Sequence, residues 1–166
     1  VEKAVEKYAP LLRSGHTDQE LLSLKASFSI LTPFRIGSFG SDSINRAVAS
    51  RITAHKETAI LPVMILENRP ELSLYNGDTG LLLTDREGIK EAIFPGQDSG
   101  KIKRIPEAVL PKYDLAFALS IHKSQGSEYE EALIILPEGT EHFGKKIAYT
   151  ALTRVKKRAS IMADLN

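Results

Sequence analysis

Within nine positions, residues 120–128 place a hydroxyl (Ser120), an imidazole (His122), an ammonium (Lys123), an amide (Gln125), a bare backbone (Gly126) and a carboxylate (Glu128). The apolar run Leu115–Ile121 that leads into them has the length and composition of a buried strand. Polar groups crowded at the carboxyl end of such a strand are costly to desolvate unless something binds them. In open α/β sheets that end is where ligands sit. On an extended segment Ser120 and His122 point to the same side, which makes both candidate contacts. A second constellation is Ile147–Arg158, where a helical stretch ends at Arg154. Beside the carboxyl edge of a sheet, that guanidinium can brace the charge on a transferring phosphoryl group. The plainer alternative is a solvated basic helix end, which the helix dipole favours. A third constellation is Leu31–Gly40, where Arg35 follows another apolar segment and can reach a phosphate, unless it is an ordinary surface-loop arginine.

Glu2–Ala9 reads as a short helix ended by Pro10, and Thr17–Glu20 as a capping box opening a second helix through about Ala26. Phe28–Leu31 follows as a strand and Thr32–Ser41 as a loop. Asp42 or Ser43 then caps a helix to about Thr53 with Ile44, Val48 and Ile52 on one face. From Ala59 the texture changes to short, regularly spaced strands at Ala59–Leu66, Leu72–Tyr75, Thr79–Leu83, Ile89–Phe94 and Ile102–Ile105. Turns such as Asn76-Gly77-Asp78 separate them. This spacing predicts a small antiparallel barrel. Strands at Leu115–Ile121, Ala132–Leu136 and Ser160–Ala163, with a helix at Lys145–Thr153, return the chain to α/β character. The expected organisation is an α/β parallel-sheet domain in two parts, 1–59 and 113–166, interrupted by an all-β insertion at 60–112.

The 166 residues carry 22 basic and 21 acidic side chains, so any basic surface is local rather than global. At 42% hydrophobic the chain can bury an ordinary core. The lack of cysteine excludes disulfides and thiolate metal sites. No apolar run approaches the roughly 20 residues of a membrane helix, and no signal-peptide pattern opens the chain, so a soluble cytoplasmic piece is expected. His16, His55 and His142 have no metal-like spacing, and Glu128, Glu130 and Glu131 do not form the clustered carboxylates that two metals need, so no metal site is expected.

The pattern Ser120-x-His122-Lys123-Ser124-Gln125-Gly126-x-Glu128 closely resembles motif V of superfamily 1 DNA helicases. Tyr149-Thr150-Ala151-Leu152-Thr153-Arg154 resembles their motif VI, and Leu31-Thr32-Pro33-Phe34-Arg35-Ile36-Gly37 their motif IV. With Tyr75-Asn76-Gly77-Asp78 between motifs IV and V, and Leu136-Pro137 after motif V, the resemblance is closest to the exodeoxyribonuclease V alpha subunit (RecD) family. It runs from about Phe28 to Asp164, and residues 1–27 carry no recognisable motif. Ser120 stands where that family commonly has Thr and keeps the hydroxyl; Val155 replaces a common Ala.

The resemblance implies a RecA-like second motor domain with an inserted SH3-like β-barrel. It implies that Arg35 and Arg154 contact ATP phosphates, that Gly126 lets backbone approach the nucleotide, and that Glu128 accepts hydrogen bonds from the ribose. Gln125 would couple the nucleotide to the DNA, and Ser120, His122 and Lys123 would face DNA. The implied cofactors are ATP and Mg2+. The implied partners are single-stranded DNA, the N-terminal motor domain of the same protein and other helicase–nuclease subunits, in double-strand-break repair and recombination, with no membrane. The nuclease belongs to a partner subunit in such relatives.

The Walker A and B segments are missing, so the fragment alone is expected to be inactive as an ATPase. Gly139–Lys146 nearly matches the phosphate-loop pattern, but Lys146 stands where a magnesium-ligating hydroxyl belongs. Tyr129 reads as a core tyrosine ahead of a base-stacking one. The runner-up readings are a stand-alone RecD-like helicase and a non-catalytic DNA- or protein-binding module with vestigial motor motifs.

Overall fold

A computed structural model describes residues 2–12, 15–54, 57–96 and 100–163; His55 lies outside the described residues. The helices are α1 (Glu2–Tyr8), α2 (Asp18–Ser27), α3 (Ser41–Thr53) and α4 (Lys145–Leu152). The strands are β1 (Phe28–Thr32), β2 (Ala59–Ile65), β3 (Thr79–Thr84), β4 (Lys90–Pro95), β5 (Ile102–Pro106), β6 (Tyr113–Leu115), β7 (Ala118–Ser120), β8 (Tyr129–Leu136) and β9 (Val155–Ala163). The capping box forms as read: the Thr17 N–H donates to Glu20 Oε2 at 2.7 Å, and the Glu20 N–H returns to Thr17 Oγ1 at 3.3 Å. Among the described residues no helix is long and apolar enough to cross a membrane.

The chain divides into two compact units. One comprises Ala26–Ala47 and Phe117–Asn166. It holds a sheet of order β7-β1-β8-β9 in which every neighbouring pair is parallel. Its central strand β1 is buried along all five residues, including the hydroxyls of Ser29 and Thr32, as both faces of a parallel sheet are covered. The β8–α4–β9 segment supplies the crossover that parallel neighbours require. At the β7 edge, Asn45 of α3 acts as a surrogate strand. Its Nδ2 donates to the Ala118 carbonyl at 3.0 Å, and its Oδ1 accepts the Ala118 N–H at 2.7 Å.

The other unit comprises Val1–Lys25 and Val48–Ala116. Its sheet has the order β5-β4-β3-β2-β6 and is antiparallel throughout. Val63, Ile65, Leu74, Leu82, Ala92, Phe94 and Ile105 form its core. A Cβ at Gly80 would lie 2.3 Å from the Ile93 carbonyl oxygen and 2.6 Å from the Phe94 ring, so β3 needs glycine there to pack against β4. Among the described residues the edge strands β5 and β6 do not pair with each other.

Three sequence expectations are corrected. Leu72–Tyr75 is not a strand: Pro70–Leu72 forms a 3-10 turn, Ser73 adopts φ +50°, and only Leu74 makes a single bridge, to Arg69. Pro70 presets the turn and offers no N–H, so the chain doubles back instead of extending. The run Leu115–Ile121 is not one strand either. Tyr113–Leu115 pairs with β2 in the antiparallel sheet, and Ala118–Ser120 pairs with β1 in the parallel one. Leu115, Ala116 and Phe117 carry the chain across the break as half-buried or buried apolar residues, so no polar residue marks it. Finally, β8 begins at Tyr129 and β9 at Val155, earlier than their apolar cores indicate. The charges there belong to paired strands, with Lys156 Nζ 2.8 Å from Glu128 and Lys157 Nζ 2.7 Å from Glu130.

Candidate nucleotide and nucleic-acid site

Residues 121–128 connect β7 to β8, and both strands run parallel to β1. The register pairs Ser120 with Thr32 at the carboxyl end of β1, whereas Glu131 is level with Phe28 at its amino end. The connection therefore travels a full strand length, roughly 15 Å at about 3.3 Å per residue. It does so as a chain of turns. Ser124 N–H donates to the Ser120 carbonyl at 3.0 Å, Gln125 N–H to His122 at 3.3 Å, and Ser127 N–H to Ser124 at 3.0 Å. Ser124 is fully buried, and its Oγ donates to the Ile121 carbonyl at 2.8 Å. His122 thus lies in a turn, not on an extended segment continuing from Ser120, which corrects the simple alternation argument. Gly126 has φ +88°, and a Cβ there would meet nothing within 4 Å, so its requirement is conformational.

This crossover splits the motif between two edges of the sheet. At the carboxyl edge lie Ser120, whose Oγ accepts the Lys123 N–H at 3.3 Å, and the exposed His122. Arg35 joins them in the loop after β1, its Nε donating to Asp42 Oδ2 at 3.2 Å. That loop is laced shut: Ser41 N–H donates to the Phe34 carbonyl at 3.0 Å, Asp42 N–H to Arg35 at 3.1 Å, and Thr32 Oγ1 to Phe39 at 2.9 Å. Phe143 packs edge-to-face on Phe34, ring centroids 5.4 Å apart, and stands 6.4 Å from the His122 ring.

At the amino edge lie Glu128 and Arg154. The Tyr129 N–H donates to the Arg154 carbonyl at 2.8 Å, which places both at the start of their strands. The Lys156 ammonium, with Arg154 beyond it, holds the Glu128 carboxyl below its ordinary pKa. Glu128 raises the Lys156 pKa in turn. The Arg154 guanidinium donates from Nη2 to its neighbour Thr153 Oγ1 at 3.3 Å, while its Nε–H is buried without an acceptor. An arginine with unspent donors beside a carboxylate suits a ligand that offers anionic oxygens and hydroxyls together.

Arg154 was expected at the carboxyl edge and stands at the amino edge. Helix α4 carries the chain from the end of β8 back to the start of β9, so a residue directly ahead of β9 returns with it. Arg35 and Arg154 consequently lie at opposite edges of the sheet. Gln125 sits between the two clusters, within the crossover. The segment Gly139–Lys146 is no phosphate cradle. The N–H groups of Thr140, His142, Gly144 and Ile147 are spent on carbonyls of Pro137, Gly139, Glu141 and Gly144. Tyr129 is 4% exposed and cannot stack on a base. Sequence reading missed Lys156, whose charge sits among three consecutive basic residues, and Phe143, hidden in the false phosphate loop. A lone phenylalanine in a polar connection is the signal that was there to be found. Among the described residues no three His, Cys, Asp or Glu side chains cluster to hold a metal.

Residues 115–162 match the family of UvrD-like helicase C-terminal domains. The chain is 30% identical over 162 residues to the RecBCD enzyme subunit RecD of Buchnera aphidicola subsp. Acyrthosiphon pisum (strain APS), covering 89% of this chain and 26% of that protein. It is 31% identical over 151 residues to the same-named subunit of Haemophilus influenzae, covering 83% of this chain and 22% of the relative. It is also 28% identical over 139 residues to the ATP-dependent RecD2 DNA helicase of Deinococcus radiodurans, covering 78% and 19%. The chain thus spans about a quarter of the length of the RecD subunits it matches. Among solved structures, the fold resembles Pif1 helicase from Candida albicans, with TM-score 0.58 at 14% identity, covering 100% of this chain and 54% of that one. It also resembles Bacteroides Pif1 helicase in complex with ADP-AlF3 and ssDNA, with TM-score 0.51 at 16% identity, covering 99% and 46%.

Proposed function

From a chain that carries a UvrD-like helicase C-terminal domain and is kin to the RecD subunits over most of its length, we infer the second motor domain of an ATP-dependent DNA helicase. The observation that carries this reading is the division of one short motif between two sheet edges, each with a different chemistry. We assign the amino edge to the nucleotide and the carboxyl edge to single-stranded DNA.

ATP with Mg2+, held chiefly by an N-terminal motor half bearing the Walker segments, supplies the phosphoanhydride whose cleavage drives movement. Toward it, Arg154 offers its guanidinium to phosphate oxygens, and Glu128, ion-paired with Lys156, accepts from ribose hydroxyls. At the other edge Ser120, His122 and Lys123 take DNA phosphates. Arg35 shares that edge and is reassigned from ATP to DNA phosphate. Such contacts give position without reading sequence, as a translocase requires. Gln125 lies on the covalent path between the edges and is the residue through which one state is felt at the other.

In this reading the RecA-like domain expected over 1–59 and 113–166 has its parallel sheet in the unit Ala26–Ala47 and Phe117–Asn166, and the SH3-like insertion expected at 60–112 corresponds to the five-stranded antiparallel sheet, whose edge strands β5 and β6 do not pair with each other among the described residues. The whole protein works in the cytoplasm in a helicase–nuclease complex of the exodeoxyribonuclease V type, in DNA repair and recombination. The two RecD subunits of the RecBCD enzyme, matched at 30% and 31% identity, support a subunit role over a stand-alone RecD2-like one. The fragment by itself does not hydrolyse ATP.

The test is Arg154→Ala in the complete protein. DNA-stimulated ATP hydrolysis should fall about 10³-fold or more, with nucleotide affinity weakened far less. Turnover equal to wild type would remove Arg154 from the nucleotide site and the motor reading with it.

A further inference from the structure

We propose that the aromatic cluster of Phe143 and Phe34, with the cleft beside it, receives a nucleobase of single-stranded DNA. This inference rests on the DNA-facing assignment of the carboxyl edge and adds base stacking to what are otherwise phosphate contacts.

The cleft has a volume of about 350 Å3 and is lined by Phe34, Ile36, Phe39, Pro137 and Glu138, with bare backbone at Gly37 and Gly40. Its apolar lining is open to water: Ile36 is 81% exposed, Phe39 48%, and neighbouring Phe143 41%. Scattered exposed apolar residues are ordinary, but a cluster of them marks a binding surface. Ile36 and Phe39 sit on a loop closed by three hydrogen bonds, so they are held out in place. Gly40 tightens the loop further, since a Cβ there would lie 2.5 Å from the Arg35 carbonyl oxygen.

The charge around the cluster selects the occupant. The His122 imidazole stands 6.4 Å from the Phe143 ring, and the Arg35 side chain, 62% exposed, rises from the same loop as Phe34. Aromatic rings rimmed by groups suited to phosphate are the arrangement that single-strand binding uses, because every base has a face to stack. Glu138, which lines the cleft, repels phosphates but can accept from N–H groups of bases. A strand would therefore lie with phosphates towards His122 and Arg35 and a base over Phe143.

The experiment compares an oligo-dT with an abasic oligodeoxynucleotide of equal length, titrated against the complete wild-type protein and its Phe143→Ala variant. Phe143→Ala should bind oligo-dT about tenfold more weakly and the abasic strand equally well. Equal loss on both strands, or no loss on either, overturns the stacking role; the latter leaves the face to a protein partner. Wild-type protein that binds neither strand overturns the DNA-facing assignment itself. A second variant guards against misfolding. The chain has no tryptophan, so Phe143→Trp places a reporter at the platform, read as the difference from wild-type emission. Oligo-dT should quench it and the abasic strand should not; emission unchanged by both overturns the proposal.

Discussion

Lys25 lies on the buried face of α2 beside Leu21 and Leu22, only 8% exposed, and burial alone lowers its pKa from the ordinary 10.5 to about 8. Charged Lys25 is costly in the folded chain. The sign follows from proton binding: between about pH 8 and 10.5 the unfolded state holds a proton that the folded state has released, so stability rises with pH. At roughly 1.4 kcal/mol per unit, the penalty below pH 8 is a few kcal/mol. Lys25→Met should therefore stabilise the chain most at or below pH 8, and the gap to wild type should close towards pH 10.5, as followed by urea unfolding at several pH values. A gap that does not vary with pH would show that the ammonium is not desolvated. Nothing in the spacing of Glu20-Leu21-Leu22-Ser23-Leu24-Lys25 announces this, because a lysine one turn beyond Leu21 reads as a helix-end cation.

At the scale of elements, α3 was legible and its chief contact was not. Ile44, Val48 and Ile52 are 8%, 0% and 1% exposed, as their spacing requires. Asn45 beside them looks like a solvated position. It is 6% exposed, and both halves of its amide bond the Ala118 backbone, closing one residue of an otherwise open strand edge. Asn45→Ala should leave a buried N–H and C=O without partners and cost about 2–6 kcal/mol of unfolding free energy, at about 1–3 per group. Asn45→Asp should cost at least as much, since it removes the donor and buries a charge. Chemical denaturation of both variants checks this, and losses under about 0.5 kcal/mol would mean that water replaces the amide freely. The break in Leu115–Ile121 belongs to this scale too. Apolarity says that a residue is buried, not in which sheet.

For the molecule as a whole, 22 basic against 21 acidic residues leave no long-range field to draw in a polyanion. On the proposed reading, this chain's share of binding to single-stranded DNA would rest on the few cations at the carboxyl edge, and its salt dependence should be shallow. If Arg35 and Lys123 each neutralise one phosphate, log K should fall with log salt at a slope near −1.4 for these two contacts, at about 0.7 per contact on a single strand. Arg35→Ala should reduce the steepness by about 0.7, whereas Phe143→Ala should leave it unchanged. Titrations at several salt concentrations separate the two. A slope unaltered by Arg35→Ala would return Arg35 to its ion pair with Asp42 as a purely local contact.

The sequence alone determined which residues are candidates for chemistry, that a parallel α/β sheet and a set of short antiparallel strands share the chain, and the family to which the motifs point. Those features are local: a capping box, an apolar stripe and a nine-residue pattern are complete within a few turns of chain. Only the tertiary structure decided where the chemistry goes. Ser120 and Glu128 are eight positions apart, yet the parallel registers of β7, β1 and β8 put them at opposite ends of the sheet. Arg35 follows a strand and Arg154 precedes one, and strand direction sends them to different edges. Phe143 joins His122 and Phe34 only because the β8–α4 connection reaches the edge where β1 and β7 end. Edges, registers and strand directions are long-range pairings, and no window of sequence contains both partners.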